Sequence, residues 1–427
     1  MNIDEIMDKL DELLDKHHIP KLASYQGVQL SYIPESDLRK INDLAEELII
    51  SYEKLKKNPD AADLFLKLGN FYYGDRNYGK AIQVYELALG IKPDFISAWI
   101  QMGRCYAKLN MLDEAMESFN SALLLNPNQV CAHAEKGHIL LSMGKRAEAT
   151  KEFEEALKLD PSDPVALIGK GQVLRDNGYY DMAMKCFEEA WKMHPQFLQA
   201  LIEKCRQLHE IGKFEAALEC IEDALKNNPK SAEAWIEKAR VFMDIKEYEE
   251  AIKCYAEAIS NQVDNIDAWY EKGVCHFKLK QFDEAKRAFE MSTKLRPEVT
   301  KFWVELSKSF QMLGDFERAL ESLNTALAIS PKSANIWFNK GLIYMKLQKY
   351  ESAIECFDNA IKYDPNLALA IYNRAIACEK LKKWEEAART WHIASIIFAQ
   401  QDNIVKEREC KTREKRAKKR FQALSKR

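Results

Sequence analysis

The chain has 427 residues, 47% hydrophobic and 30% charged, and its formal net charge at pH 7 is −3. A balance so near neutral excludes chain-wide attraction to nucleic acid or to an anionic surface. No apolar run approaches the ~18 residues of a membrane span, and the opening MNIDEIMDKLDELLDK is acidic throughout, unlike a secretory leader. The expectation is a soluble cytoplasmic protein with no membrane partner.

Taken in order, residues 2–16 place Ile3, Ile6, Met7, Leu10, Leu13 and Leu14 on one side of an amphipathic helix. Residues 20–35 alternate weakly at Val28, Leu30 and Tyr32 and read as an extended segment or a short strand. Ser36 is placed to cap a long helix that turns Leu38, Ile41, Leu44, Leu48, Tyr52 and Leu55 inward. Residues 1–61 sum to a charge of −5. They are expected to form a helical cap with one degenerate unit, because Glu47 stands where alanine recurs in everything that follows.

From there the chain keeps a beat of 34 residues. Proline stands at Pro59, Pro93, Pro127, Pro161, Pro195 and Pro229, gives way to Val263, and returns at Pro297, Pro331 and Pro365. Alanine recurs ten times from Ala81 to Ala387, and a second small column runs from Ala88 to Ala394 with Ser292 in one place. A fixed period of this size means one supersecondary unit copied and stacked. In residues 232–265, Trp235, Ala239 and Phe242 share one helical face; past a turn near Lys246, Tyr248, Ala251, Tyr255 and Ala258 share another. Each unit is therefore an antiparallel helix pair, ended by a proline that cannot continue the helix. Glycine fills six of ten places in the column that starts at Gly69. Its cost of roughly 0.5–1 kcal/mol inside a helix implies a close helix contact there.

With those residues in view, the unit resembles the tetratricopeptide repeat, whose aromatic, small, aromatic, alanine, aromatic, alanine and proline positions it reproduces ten times over residues 62–401. Departures are local: His133 replaces one aromatic, Val263 and Ala399 replace prolines, and His276 and Cys378 occupy an aromatic column. The resemblance implies an all-α fold, a right-handed superhelix of antiparallel helix pairs (an α-solenoid) with helical caps at both ends. It also implies that the first helices line a concave groove. Between Ile259 and Asp267 the missing proline leaves the polar turn SNQVDNID, where the weakest interface of the array is expected.

No catalytic motif is present: there is no phosphate-binding G-x-x-x-x-G-K-[ST] loop, no H-E-x-x-H, and no strand followed by G-x-G-x-x-G. The triplet Gly169-Lys170-Gly171 falls inside a first helix. His133 and His138 are spaced too poorly to share a metal. Ten cysteines contain no C-x-x-C pair, and equivalent cysteines on stacked repeats lie ~10 Å apart, beyond disulfide reach. They are expected to be small buried hydrophobes in a reducing compartment. The reading is a non-enzyme with no metal and no cofactor.

One first-helix column reads Lys67, Gln101, Glu135, Gly169, Glu203, Glu237, Glu271, Glu305, Asn339 and Asn373. The resemblance turns this column toward the groove. In the long superhelix of the O-linked N-acetylglucosamine transferases an asparagine ladder at this place grips a peptide backbone; here Asn339 and Asn373 match and four glutamates replace the rest. A carboxylate accepts hydrogen bonds, so the column suits a ligand with Lys, Arg or backbone N–H groups. Against that, Arg206 and Arg240 stand three residues after Glu203 and Glu237, and such i,i+3 pairs neutralise a carboxylate on its own helix. The lysine column Lys136, Lys170, Lys204, Lys238, Lys272 and Lys340 offers a second source of neutralisation between repeats. Chaperone-binding relatives hold a C-terminal carboxylate with lysine and asparagine. Asn70 matches that clamp, but Leu66, Cys131 and Glu135 do not.

Residues 402–427 are expected to form a last helix, capped by Asp402 and docked through Ile404 and Val405, with residues 404–427 carrying +8. Lys411, Arg413, Lys415, Arg416, Lys418, Lys419 and Arg420 make it strongly basic, and Phe421 is its one aromatic. Three uses fit: a solvating end helix, nucleic-acid contact through phosphate, or docking to an acidic partner, the glutamate column of this protein included. The sequence as a whole reads as a scaffold that binds an extended peptide or a partner helix. A nucleic-acid-associated adaptor and a regulatory subunit of a separate enzyme stand as alternatives. It names no partner and sets no oligomeric state.

Overall fold

The computed structural model describes residues 3–19 and 33–424. Within them lie 24 helices and no strand; residues 20–32, which hold most of the stretch read as extended, fall outside. Ten consecutive helix pairs run from Pro59–Gly74 and Tyr78–Ile91 to Ala368–Lys380 and Trp384–Gln400. From the second pair onward, first helices begin at Ile96, Val130, Pro164, Leu198, Ala232, Ile266, Thr300, Ala334 and Ala368, each 34 residues after the last. The chain divides into two compact units, Met1–Asn228 with the first five pairs and Pro229–Arg427 with the other five.

Packing explains the columns. Every alanine from Ala81 to Ala387 is fully buried, as is every residue of the second small column, Ser292 included. The glycines are needed because an aromatic ring from the second helix lies against each. A Cβ on Gly69 would fall 2.3 Å from Tyr85, and one on Gly171 2.5 Å from Phe187. Gly169 is pressed the same way at 2.2 Å by Phe153, so the Gly-Lys-Gly triplet is a packing feature. Opposite an aliphatic residue the place takes more than glycine, Cys205 with Ile221 and Ser307 with Leu323, and alanine also fits at Ala239 and Ala375, all buried.

The tryptophan column fastens the loops as well as filling holes. The indole N–H donates to the carbonyl six residues earlier, in Trp99 to Pro93 at 3.0 Å, Trp235 to Pro229 at 2.9 Å and Trp303 to Pro297 at 2.8 Å. His133 replaces tryptophan with Nε2 2.9 Å from the Pro127 carbonyl. The missing proline is handled alike, since Trp269 donates to Val263 at 2.8 Å and Asn265 caps the next helix through the Ala268 N–H at 3.0 Å. The turn expected to be weak is thus closed like the others and lies inside the second unit; the division between units falls at Asn228 and Pro229.

Each pair turns through one left-handed residue, and this too keeps the beat: Arg76 (φ 58°), Asn110 (φ 60°), Gly144 (φ 76°), and so on to Lys382 (φ 60°). Glycine occupies only four of the ten places, so the column is nearly invisible in sequence.

The ends depart from expectation. The helix Glu35–Ile50 follows Pro34 without a side-chain cap, so Ser36 lies inside its first turn, and a break at Ser51 separates it from Tyr52–Leu55. At the other end Asp402 takes φ 55° and Asn403 caps instead, accepting from the Lys406 N–H at 3.1 Å. Ile404 and Val405 are 58% and 78% exposed. The helix Ile404–Leu424 is anchored by Cys410, Glu414 and Ala417, which recur at spacings of four and three.

Candidate functional site

In the first unit the ladder column is occupied by the protein itself. Lys67 is almost fully buried, and its Nζ donates to Asp11 at 2.6 Å and also to Asp15. These aspartates sit four apart on the N-terminal helix Ile3–Lys16, which buries Ile6, Leu10 and Leu14. Burial alone would lower the Lys67 pKa; the two carboxylates more than offset it and hold it above the ordinary lysine value. Further along, Arg104 donates to Gln101 on its own helix at 3.4 Å and to Glu135 on the next first helix at 2.7 Å.

Glu203 is as enclosed as Lys67, 1% exposed. Arg206 donates to it at 2.5 Å from the same helix, as the i,i+3 spacing predicts, and Arg175 does so at 2.8 Å from the preceding pair. Gln172 and Gln199 complete the shell at 3.1 and 3.4 Å. Three of these donors converge on Oε1 and Arg175 takes Oε2, so both carboxylate oxygens are engaged within the protein. The lysine column neutralises second helices: Lys136 pairs with Glu152 at 2.8 Å and Lys204 with Glu188 at 2.9 Å. His133 and Lys136 share Glu152, and His138 lies 3.2 Å from the Val165 carbonyl. The clamp residue Asn70 is buried and accepts from Tyr85 Oη at 2.8 Å.

The second unit treats the same column differently. Glu237 is buried and accepts from Arg240 at 2.8 Å; Glu305 accepts from Lys308 at 2.7 Å. Asn373 donates to Leu369 of its own helix at 2.8 Å. Between them, Glu271 is half-buried with no hydrogen bond and no ion pair among the described residues, and Asn339 makes no side-chain hydrogen bond there either. Burial pushes the Glu271 carboxyl above its ordinary value, against the opposing influence of Lys301 and Arg240. Lys301 lies over the Tyr270 ring at 4.1 Å. Lys238, Lys272 and Lys340 lie 5.6, 5.6 and 5.1 Å over the rings of Trp235, Trp269 and Trp337.

Family comparisons agree with this architecture. Residues 266–299 and 334–367, 210–265, and 311–348 each match tetratricopeptide-repeat models. The chain is a tetratricopeptide-repeat protein. Residues 38–211 match the model described as the cilia and flagella-associated protein 70 C-terminal domain. No curated protein matches the chain. Among solved structures it is similar to the human IFIT1 dimer with PPP-AAAA, at 16% identity over 86% of this chain and 94% of that one, with a TM-score of 0.50. It is also similar to MamA, at 22% identity over 40% of this chain and 94% of that one (TM-score 0.35), and to YrrB, described as a TPR protein with an unusual peptide-binding site, at 19% over 45% and 98% (TM-score 0.30).

In this tetratricopeptide-repeat protein the basic tail is folded onto the tenth repeat. Arg413 pairs with Glu379 and Glu409, both at 3.3 Å, and stacks over Trp391 at 5.2 Å. Arg420 lies over Trp384 at 4.5 Å, Lys411 pairs with Glu407 at 2.5 Å and Lys418 with Glu414 at 2.6 Å. Lys415, Arg416 and Lys419 remain on the exposed side. Four of the seven tail cations are therefore engaged where the tail lies, which favours the solvating-helix reading over insertion into the protein's own glutamate column.

Arg175 and the Lys67 pocket were missed in the sequence. The signal for Arg175 is opposite charge at a separation somewhat under one repeat, 28 residues to Glu203 as Arg104 lies 31 from Glu135; Lys67 is 56 and 52 residues from Asp11 and Asp15 and has no such signal.

Proposed function

We propose that the chain is a non-catalytic protein-interaction scaffold that receives a partner helix or an extended peptide along the first-helix column of its second unit, around Glu271 and Asn339. The carrying observation is the protein's own N-terminal helix. It lies on the same column at Lys67, with apolar residues at i, i+4 and i+8 buried and two carboxylates closing on a ladder cation. A groove that accepts a helix in one repeat has a surface that others can use, by the helix-in-groove mode. In the second unit the charges are reversed. Glu271 carries a partly desolvated carboxylate with no hydrogen bond or ion pair among the described residues, and a Lys or Arg of a partner would satisfy it; Asn339 can both donate to and accept from a peptide bond.

The test is selection of a displayed random-peptide library on the full chain, followed by affinity measurement against Glu271→Lys and Asn339→Ala. Selected peptides should carry basic residues and lose at least tenfold in affinity with Glu271→Lys. Peptides indifferent to both changes would move the binding surface elsewhere. A steep fall of nucleic-acid affinity with salt, abolished by removing residues 406–427, would instead favour the adaptor reading. The match of residues 38–211 to a domain of a cilia- and flagella-associated protein favours a partner from such an assembly, which localisation of the tagged chain in ciliated cells would check.

A further inference from the structure

The expectation that cysteines serve only as buried hydrophobes fails in one repeat. Cys205 and Cys220 are paired as a disulfide with Cα atoms 5.5 Å apart, inside the range that a bridge requires. The cause is a coincidence of two columns. Second helices carry cysteine at Cys186, Cys220, Cys254 and Cys356, and the first-helix residue 15 positions earlier is Gly171, Cys205, Ala239 and Gly341. Only the fifth repeat has cysteine in both. It has room for the larger residue because Ile221 replaces the ring that elsewhere presses on glycine.

The two sulfurs differ in access. Cys205 is fully buried, whereas Cys220 borders an open cleft of about 440 Å³ that Tyr180, Lys204, Leu208, Lys213 and Glu219 also line. The other cysteines lack such a pairing, and burial pushes the thiols of Cys105 and Cys275 up to about 12 and those of Cys254, Cys356, Cys378 and Cys410 to about 11, which keeps them unreactive. The fifth repeat also contains a fault. Gln207 is fully buried in a column filled elsewhere by Cys105, Ile139, Val173, Val241, Cys275, Ile343, Ala377 and Ser309, whose hydroxyl donates to the Glu305 carbonyl, whereas neither the Nε2 nor the Oε1 of Gln207 has a partner among the described residues. An unsatisfied buried amide weakens the helix that carries it. A covalent tie across the same pair offsets that weakness, and removing the tie exposes it.

We propose that Cys205 and Cys220 form a reversible thiol–disulfide site that staples the two helices of the fifth repeat, Leu198–Glu210 and Phe214–Asn227, in response to a small-molecule disulfide such as oxidised glutathione. The Cys220 thiolate attacks one sulfur of oxidised glutathione from the cleft. A mixed disulfide forms and one glutathione thiolate leaves. The Cys205 thiolate then attacks the Cys220 sulfur and displaces the second glutathione thiolate. Two protein thiols are oxidised, one glutathione disulfide is reduced to two glutathiones, and the two thiol protons end on them. Reduced glutathione in excess runs both steps backwards.

The experiment equilibrates the full chain in buffers of graded reduced-to-oxidised glutathione ratio, traps free thiols by alkylation and maps the peptides. Cys205 and Cys220 should lose alkylation together in one transition that dithiothreitol reverses, while amide exchange in residues 198–227 slows in the oxidised form. Cys205→Ser should accumulate the glutathione adduct on Cys220, and Cys220→Ser should leave Cys205 unmodified. Full alkylation of both at the most oxidising ratio would overturn the proposal. So would a persistent Cys220 adduct in the parent, or a bridge that leaves exchange in 198–227 unchanged. The outcome is independent of whether any peptide binds the second unit.

Discussion

The two units are built from the same helix pair and differ in what they do with one column. In the first, Lys67, Arg104, Glu135 and Glu203 each find a partner on another helix, so the charges hold the repeats to one another and to the N-terminal helix. In the second, Glu237 and Glu305 accept from Arg240 and Lys308 of their own helices, and Glu271 and Asn339 make no side-chain hydrogen bond among the described residues. Identical spacing can thus serve cohesion or be left open for a ligand. Sequence separation alone does not decide it: Arg240 stands 31 residues before Glu271, as Arg104 does before Glu135, yet it pairs with Glu237 of its own helix.

This contrast can be broken by mutation, and the largest effect is expected at Glu203. Replacing it by alanine leaves Arg175 and Arg206 facing a buried void, and losing one partner of a buried pair costs about 3 kcal/mol. Urea unfolding followed in the first unit should show that loss, and an unchanged midpoint would mean that the cluster is not cohesive. Next come the alanine columns. Ala217→Leu in the first unit and Ala251→Leu in the second each force methylenes into a filled crossing, for about 2 kcal/mol. Hydrogen exchange should show damage spreading to adjoining pairs within each unit. If the two variants matched the parent, the repeat register would be wrong.

Smaller effects sharpen the comparison. Lys280 sits at φ 61°, so Lys280→Gly should raise stability by roughly 0.5–1 kcal/mol, whereas Gly212→Ala, at φ 76°, should lower it; thermal melts test both signs. Glu271→Gln should stabilise the second unit by about 0.5 kcal/mol at pH 7, opposite in sign to any change at Glu203. Its carboxyl is raised above the ordinary 4.5. The contribution that favours folding is therefore present below 4.5 and is lost as pH rises through the folded value. Melts across this range should show parent and variant equal in acid and the variant ahead at neutrality. A parent ahead at neutrality would imply a partner for Glu271 that this structure does not contain.

Much of this was legible in the residues. Periodicity located all ten pairs, the small columns marked where helices cross, and the i,i+3 spacing announced the Arg206 and Arg240 pairs, because all of these depend on neighbours within a helix or on a constant repeat. The caps were misjudged, with Asn403 in place of Asp402 and buried Cys410 and Ala417 in place of Ile404 and Val405. End helices have no second copy against which to read a register.

The sequence by itself determined the repeat, its handful of packing columns and the absence of a catalytic motif, since a 34-residue period encodes contacts that recur identically. Only the tertiary structure decided which charges are spent and which sulfurs meet. Asp11 reaches Lys67 across 56 residues, Arg175 reaches Glu203 across 28, and Cys205 meets Cys220 because Ile221 leaves the space. Such contacts happen once each, between positions that no period links, so they depend on how neighbouring helices fit and not on the repeat that builds them.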